Sequence, residues 1–149
     1  MTSLIHQRVE AARKGENPTV LCKMESGWAV FGDHQVLNGY CLLLPDPVVG
    51  SINDLDIHQR EIYLRDMTLI GDALLEVTGA WRINYEILGN SEPALHAHIV
   101  PRYRAEPEEY ARGPVWFYPW DSVPKFDPSK HKGLMERIRA ALETRLSAL

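Results

Sequence analysis

The chain has 149 residues, 45% hydrophobic and 24% charged, with a formal net charge of −4 and a pI near 5.8. That length and apolar content suit one domain, residues 1–149, with a core of its own. The acidic balance excludes a global basic field attracting nucleic acid or an anionic membrane, so any phosphate-bearing ligand must be held by local groups.

Residues 3–14 predict a short amphipathic helix, with Ile5, Val9 and Ala12 along one side and Gly15 at its end. This N-terminal stretch lacks the apolar core of a signal peptide. No apolar run in the chain approaches ~18 residues, so a cytoplasmic protein is expected. "TVLCKMES" (19–26) and "GWAVFGDH" (27–34) predict two strands joined by a turn near Ser26-Gly27. "GYCLLLPD" (39–46) is more continuously apolar and predicts a central third strand, stopped by Pro45 and Pro47. Cys22 and Cys41 lie inside these runs at no metal-binding spacing and are expected to pack as small hydrophobes.

The strongest periodicity follows, over 54–78. Tyr63, Met67, Ile70, Leu74 and Val77 recur at steps of four and three, with Asn53 as the expected cap and Gly79 at the far end. "WRINYEIL" (81–88) and "ALHAHIVPRY" (94–103) predict the fourth and fifth strands, around a tight polar loop "GNSEP" (89–93). Residues 104–126 hold four prolines and the aromatic cluster "GPVWFYPW", which predicts an ordered but irregular excursion. Within it, "EPEEY" (106–110) reads as a solvated acidic loop. Asp127-Pro128 opens a last helix to about Ala148, with Leu134, Ile138, Leu142 and Leu146 as its stripe. Five strands with one long helix between the third and fourth predict an antiparallel or mixed α+β domain.

Two of the six histidines lie in "LHAHIVPRY". Strand alternation sends Ala94, His96 and His98 to one face, and Leu95, Ala97 and Ile99 to the core. Three readings follow from spacing. The pair is two half-exposed strand residues without chemistry; or two ligands of a zinc ion needing a third from elsewhere; or a nucleophile and its assistant at a phosphate. His6, His34, His58 and His131 fall in no ligand pattern that would complete a metal site.

"ALHAHIVPR" resembles the signature strand of the histidine triad family, in which histidines alternate with hydrophobic residues ahead of Pro-Arg. "GWAVFGDHQVLNGYCLLLPDPVVGSINDL" and "NYEILGNS" resemble the segments that precede it, so the likeness covers roughly residues 20–104 in order and spacing. The resemblance implies a histidine triad-like α+β fold: a sheet of about five antiparallel strands, one long helix and a C-terminal helix. It implies a homodimer that binds nucleotides, a dinucleoside polyphosphate among them, and cleaves at an α-phosphorus without metal or cofactor. His96 falls on the family's nucleophile, which forms a covalent nucleotidyl-histidine, and His98 on the histidine at the scissile phosphate. Asn84 matches a substrate-positioning asparagine, Asn90 the position of the usual glutamine, and Ser91 the phosphate-contacting Ser/Thr. Asp33 lies near the residue that holds the ribose hydroxyls, in a segment about one residue shorter than usual.

Two positions depart from the pattern. The first triad histidine is Ala94, and the histidine expected after Gly39 is Tyr40. In the family the nucleophile's second ring nitrogen is oriented by the backbone carbonyl of the first triad residue, so the resemblance implies that the change to alanine leaves that support in place. Tyr40 is expected to fill the space that Ala94 vacates. Trp28 and Phe31 are expected in core or dimer packing, and Trp116 and Trp120 either over a sheet edge or in the substrate-base pocket. The resulting expectation is a nucleotide hydrolase or nucleotidyl transferase, with a nucleotide-binding protein that does not turn over as the alternative.

Overall fold

A computed structural model describes residues 3–149. Helix α1 (Leu4–Arg13) starts at Ser3, whose hydroxyl accepts from the His6 N–H. Strands β1 (Val20–Lys23), β2 (Gly27–Phe31) and β3 (Cys41–Pro45) form an antiparallel meander, followed by helix α2 (Ile57–Thr78). Strands β4 (Arg82–Glu86) and β5 (Ala97–Arg102) come next. A short helix α3 (Glu108–Ala111) lies in the excursion that precedes α4 (Pro128–Ser147). The predicted order of elements is the observed one.

The long helix begins later than its periodicity suggests. Asp56, not Asn53, is the cap: its side chain accepts from the Gln59 N–H, and the Gln59 side chain returns to the Asp56 N–H. That exchange satisfies two orphan donors at once, which Asn53 cannot do. Ile52–Asp54 form a separate single turn, and the Asn53 carbonyl accepts from Arg60. Gly79 ends the helix in the left-handed region (φ 74°).

The five strands form one sheet in the order β1-β2-β3-β5-β4, antiparallel at every pairing. Its two faces have different covers. Leu21, Phe31, Leu43 and Ile99 face α2 and α4, where Tyr63, Ile70, Leu74, Ile138 and Leu142 complete the main core. On the other face, α1 lays Ile5 and Val9 on Val30, Leu44 and Ala94. The rest of that face is covered by residues 103–126, which put Val115 on Tyr40 and Val100. The histidine strand lies between these two covers. Among the described residues no helix is long and apolar enough to cross a membrane.

Gly27 is required by a close approach. It pairs with Pro45 at the start of β2, and a Cβ there would overlap the Leu44 carbonyl oxygen. Gly27→Ala is therefore expected to destabilise the fold by ~1–3 kcal/mol or more, as overpacking against backbone does. Urea denaturation measures this, and an unchanged midpoint would contradict the packing.

Candidate active site

The pleat of β5 divides its side chains. Ala97 and Ile99 enter the main core, whereas His98 and Val100 face the opposite side with His96, one residue ahead of the strand. The His96 and His98 rings meet edge to face, centroids 4.8 Å apart, and each residue is only 8% exposed. His96 Nδ1 lies 2.7 Å from the Ala94 carbonyl oxygen. A carbonyl can only accept, so Nδ1 carries the proton and Nε2 keeps its lone pair. That is the tautomer an attacking imidazole needs.

His98 is held by a different partner. Its Nδ1 lies 2.6 Å from the Tyr40 hydroxyl, across a pair of rings inclined by 17°. Burial, and then the neighbouring His96, lowers the His98 pKa to about 4. On its far side the Trp116 ring approaches within 4.8 Å, nearly perpendicular. Trp116 Nε1 donates to Glu86 Oε2 at 2.6 Å, and Glu86 is the residue opposite His98 in the β4–β5 register. Trp116 stacks in turn on Trp120, whose edge meets Tyr40.

Arg102 fixes this aromatic cover. Its guanidinium pairs with Glu106 at 2.9 Å, both side chains being buried, and also donates to Asn84 Oδ1 and to the carbonyls of Tyr110 and Gly113. Tyr118 adds a hydroxyl to Glu106. At the other end the Gln35 N–H donates to the Pro124 carbonyl and the Phe126 N–H to that of Asp33. The strap therefore crosses the site from the end of β5 to the β2–β3 loop.

On the α1 side, Ile5, Val30, Leu42 and Leu44 line a recess of about 90 Å³ with Asp33 among its walls. The Asp33 carboxylate receives both terminal nitrogens of Arg8, at 2.6 and 3.2 Å. Leu42 is the cross-strand partner of His98, so the recess lies one strand from the histidine pair on the same face. Among the described residues no three His, Cys, Asp or Glu side chains gather as a metal's ligand set.

No protein-family model and no curated protein matches the chain. Solved structures do match. A histidine triad protein from Marinobacter aquaeolei VT8 superposes with a TM-score of 0.76 over 97% of this chain and 98% of that one, at 20% identity. One from Bradyrhizobium japonicum gives 0.73 over 88% and 95%, at 23% identity. A hypothetical histidine triad nucleotide-binding protein from Sulfolobus tokodaii strain7 gives 0.72 over 93% and 92%, at 16% identity. The chain has the histidine triad fold.

Within that fold, the expected site residues fall into two groups. His96, His98 and Tyr40 are in mutual contact through the bonds described above, with Ala94 supplying the carbonyl. Asn84 lies on β4 two residues before Glu86, the position opposite His98, and its side-chain oxygen is taken by Arg102. Asn90 and Ser91 are exposed on the loop before β5. Two expectations need correction. Tyr40 does not fill the space beside Ala94: Ala94 packs with Ile5 and Val9 of α1, while Tyr40 packs with Val100 and Val115 and bonds His98. Helix α1 closes the gap because an alanine there presents a small apolar surface that only an apolar cover can use. In "EPEEY" the exception is Glu106, whose side chain is 3% exposed and pairs with Arg102, while Pro107, Glu108 and Glu109 are exposed as expected. Phe31 is core as expected, and Trp28 flanks the α1 cluster with its indole N–H on Asp46.

Four residues of the site were not singled out in the sequence. Glu92 accepts from the Leu4 N–H at 2.6 Å and ties the 89–93 loop to α1. Gln35 bridges the carbonyls of Gly32 and Tyr40 with its Nε2 and so shapes the loop carrying Asp33. Glu86 and Arg8 are the others. Only Glu86 left a signal: it shares the alternation of Asn84 on the same strand.

The depressed pKa of His98 links the site to stability. Between about 6.5 and about 4 the unfolded histidine binds a proton that the folded one does not, so stability falls as pH drops through that window. The full loss is on the order of 3 kcal/mol. His98→Asn is expected to remove this component, leaving a flatter stability profile in urea titrations at stepped pH. An equally steep profile in the variant would contradict the assignment.

Proposed function

We propose that the chain is a metal-independent nucleotide hydrolase or nucleotidyl transferase that attacks an α-phosphate with His96. The observation that carries this is the His96 Nδ1–Ala94 hydrogen bond, which leaves the Nε2 lone pair free beside a second imidazole. In the first step Nε2 forms a bond to phosphorus as the bond to the leaving group breaks, its electron pair departing with that group. In the second, water or another acceptor attacks phosphorus, the P–N bond breaks, and the pair returns to Nε2. His98 hydrogen-bonds the phosphate region, and Ser91 and the neighbouring loop amides supply further donors to the phosphate oxygens.

The recess between α1 and β2–β3 is the place for the nucleoside in this reading, and at about 90 Å³ it must widen to admit one. Apolar walls take the base, and Asp33 takes the ribose hydroxyls as its bonds to Arg8 loosen. In this reading Asn84, held by Arg102, positions the substrate, and the exposed Asn90 stands beside Ser91 on the loop that contacts the phosphates. A homodimer belongs to the same reading: β4 is an edge strand, and Trp81, Tyr85 and Leu88 are exposed on and beside it. A partner's β4 there would continue the sheet.

Binding without turnover is the second reading, favoured by the 8% exposure of both histidines in the closed site. One experiment separates the two. Wild type and His96→Ala are compared for release of nucleoside monophosphate from dinucleoside polyphosphates, adenylated amines and nucleoside phosphosulfates, and for nucleotide binding by calorimetry. Turnover is expected in the wild type and abolished in the variant, with binding largely kept. Full turnover in the variant contradicts the mechanism, and binding with no turnover in the wild type establishes the second reading.

A further inference from the structure

We propose that Tyr40 is a positioning residue that holds His98 as a neutral imidazole with its single proton on Nε2, so that the site takes leaving groups that depart without a proton. The second clause rests on the His96 reaction proposed above; the first stands on the geometry alone.

Tyr40 is 5% exposed and packs with Val100 and Val115, against Leu42 and Trp120. In that apolar setting its hydroxyl has one hydrogen-bond partner among the described residues, His98 Nδ1 at 2.6 Å. The bond has two forms. If Nδ1 carried the proton, the phenolic hydrogen would be left without an acceptor in the cluster, at a cost of ~1–3 kcal/mol. If the phenol donates, both groups are satisfied. The phenol therefore donates, Nδ1 is bare, and Nε2–H is the one donor that His98 offers a phosphate oxygen.

The surroundings make this arrangement hard to change. A Cβ at Gly32 would overlap the Tyr40 ring, so only glycine lets the ring lie where it does. The turn into Tyr40 needs Gly39 at φ 104°, and Gln35 Nε2 donates to the Tyr40 carbonyl at 2.9 Å. Opposite, Glu86 Oε2 accepts from Trp116 Nε1, and among the described residues no hydrogen bond or ion pair joins a carboxylate to His98. Burial pushes the Tyr40 hydroxyl away from ionisation and, with His96, brings His98 to about 4, in keeping with one proton on each.

A consequence for the substrate follows. A neutral imidazole that gave up its only N–H would become an imidazolate, so His98 stabilises charge but does not serve as a general acid. When the P–X bond breaks, X leaves with the electron pair and must be stable without a proton. Phosphate, polyphosphate and sulfate oxygens meet that condition; an aliphatic amine, as in a phosphoramidate, does not. The geometry favours nucleoside phosphoanhydrides or phosphosulfates.

The test has two arms. Ring 15N shifts of His98 in the resting protein at neutral pH are expected to show a bare Nδ1 and a protonated Nε2, with Tyr40→Phe converting this to a mixture of tautomers while the fold is kept. A protonated Nδ1 in the wild type, or the same single tautomer in the variant, overturns the assignment. In the second arm, a nucleoside aryl phosphate and the matching aliphatic phosphoramidate are compared at neutral pH. The amine is expected to turn over slower by ~100-fold or more, the usual worth of a missing general acid. Equal rates overturn the leaving-group inference, and failure of both substrates contradicts the reaction itself while the 15N result still decides the role of Tyr40.

Discussion

The hydrogen bond from His96 to the Ala94 carbonyl is the constraint around which the site is arranged. It uses backbone alone, so it survives the absence of an imidazole at position 94. What an alanine there changes is the surface beside His96. A small apolar side chain lets α1 settle onto the sheet through Ile5 and Val9, and Glu92 then fastens the start of α1 to the loop before β5. The same helix delivers Arg8 to Asp33. One residue type at one position thus couples the N-terminal helix to His96, the loop and the candidate ribose anchor.

The opposite wall is built by different physics. Arg102 and Glu106 are desolvated together, and each extra hydrogen bond, from Arg102 to Asn84, Tyr110 and Gly113 and from Tyr118 to Glu106, offsets part of that cost. The pair anchors a strap whose tryptophans close over His98. A water-poor setting results in which the two imidazoles interact strongly with whatever charge develops between them. The strap is part of the same chain, so this wall is built without a second copy.

Much of this was legible in the sequence, and the remainder was hidden for definable reasons. The strands, the long helix and the facing of His96 and His98 follow from periods of two and 3.6, which depend only on local geometry. The Asp56 cap was missed because Asn53 and Asp56 are both capping residues, and only the reciprocal bond with Gln59 separates them. Glu106 reads as solvated because its neighbours are acidic, and its partner Arg102 lies on the preceding strand with the turn between them formed only on folding. Tyr40 was expected beside Ala94, and its bond to His98 instead depends on how β3 and β5 pair, which no local rule gives.

The central claim, that His96 acts covalently, is tested most directly by trapping. Protein mixed with substoichiometric nucleotide labelled at the α-phosphate, quenched within a single turnover and digested, should carry the label on the peptide containing His96. Covalent catalysis predicts a nucleotidyl group on that histidine, formed and lost within the turnover time. Label that passes to free nucleoside monophosphate without ever residing on the protein would contradict it.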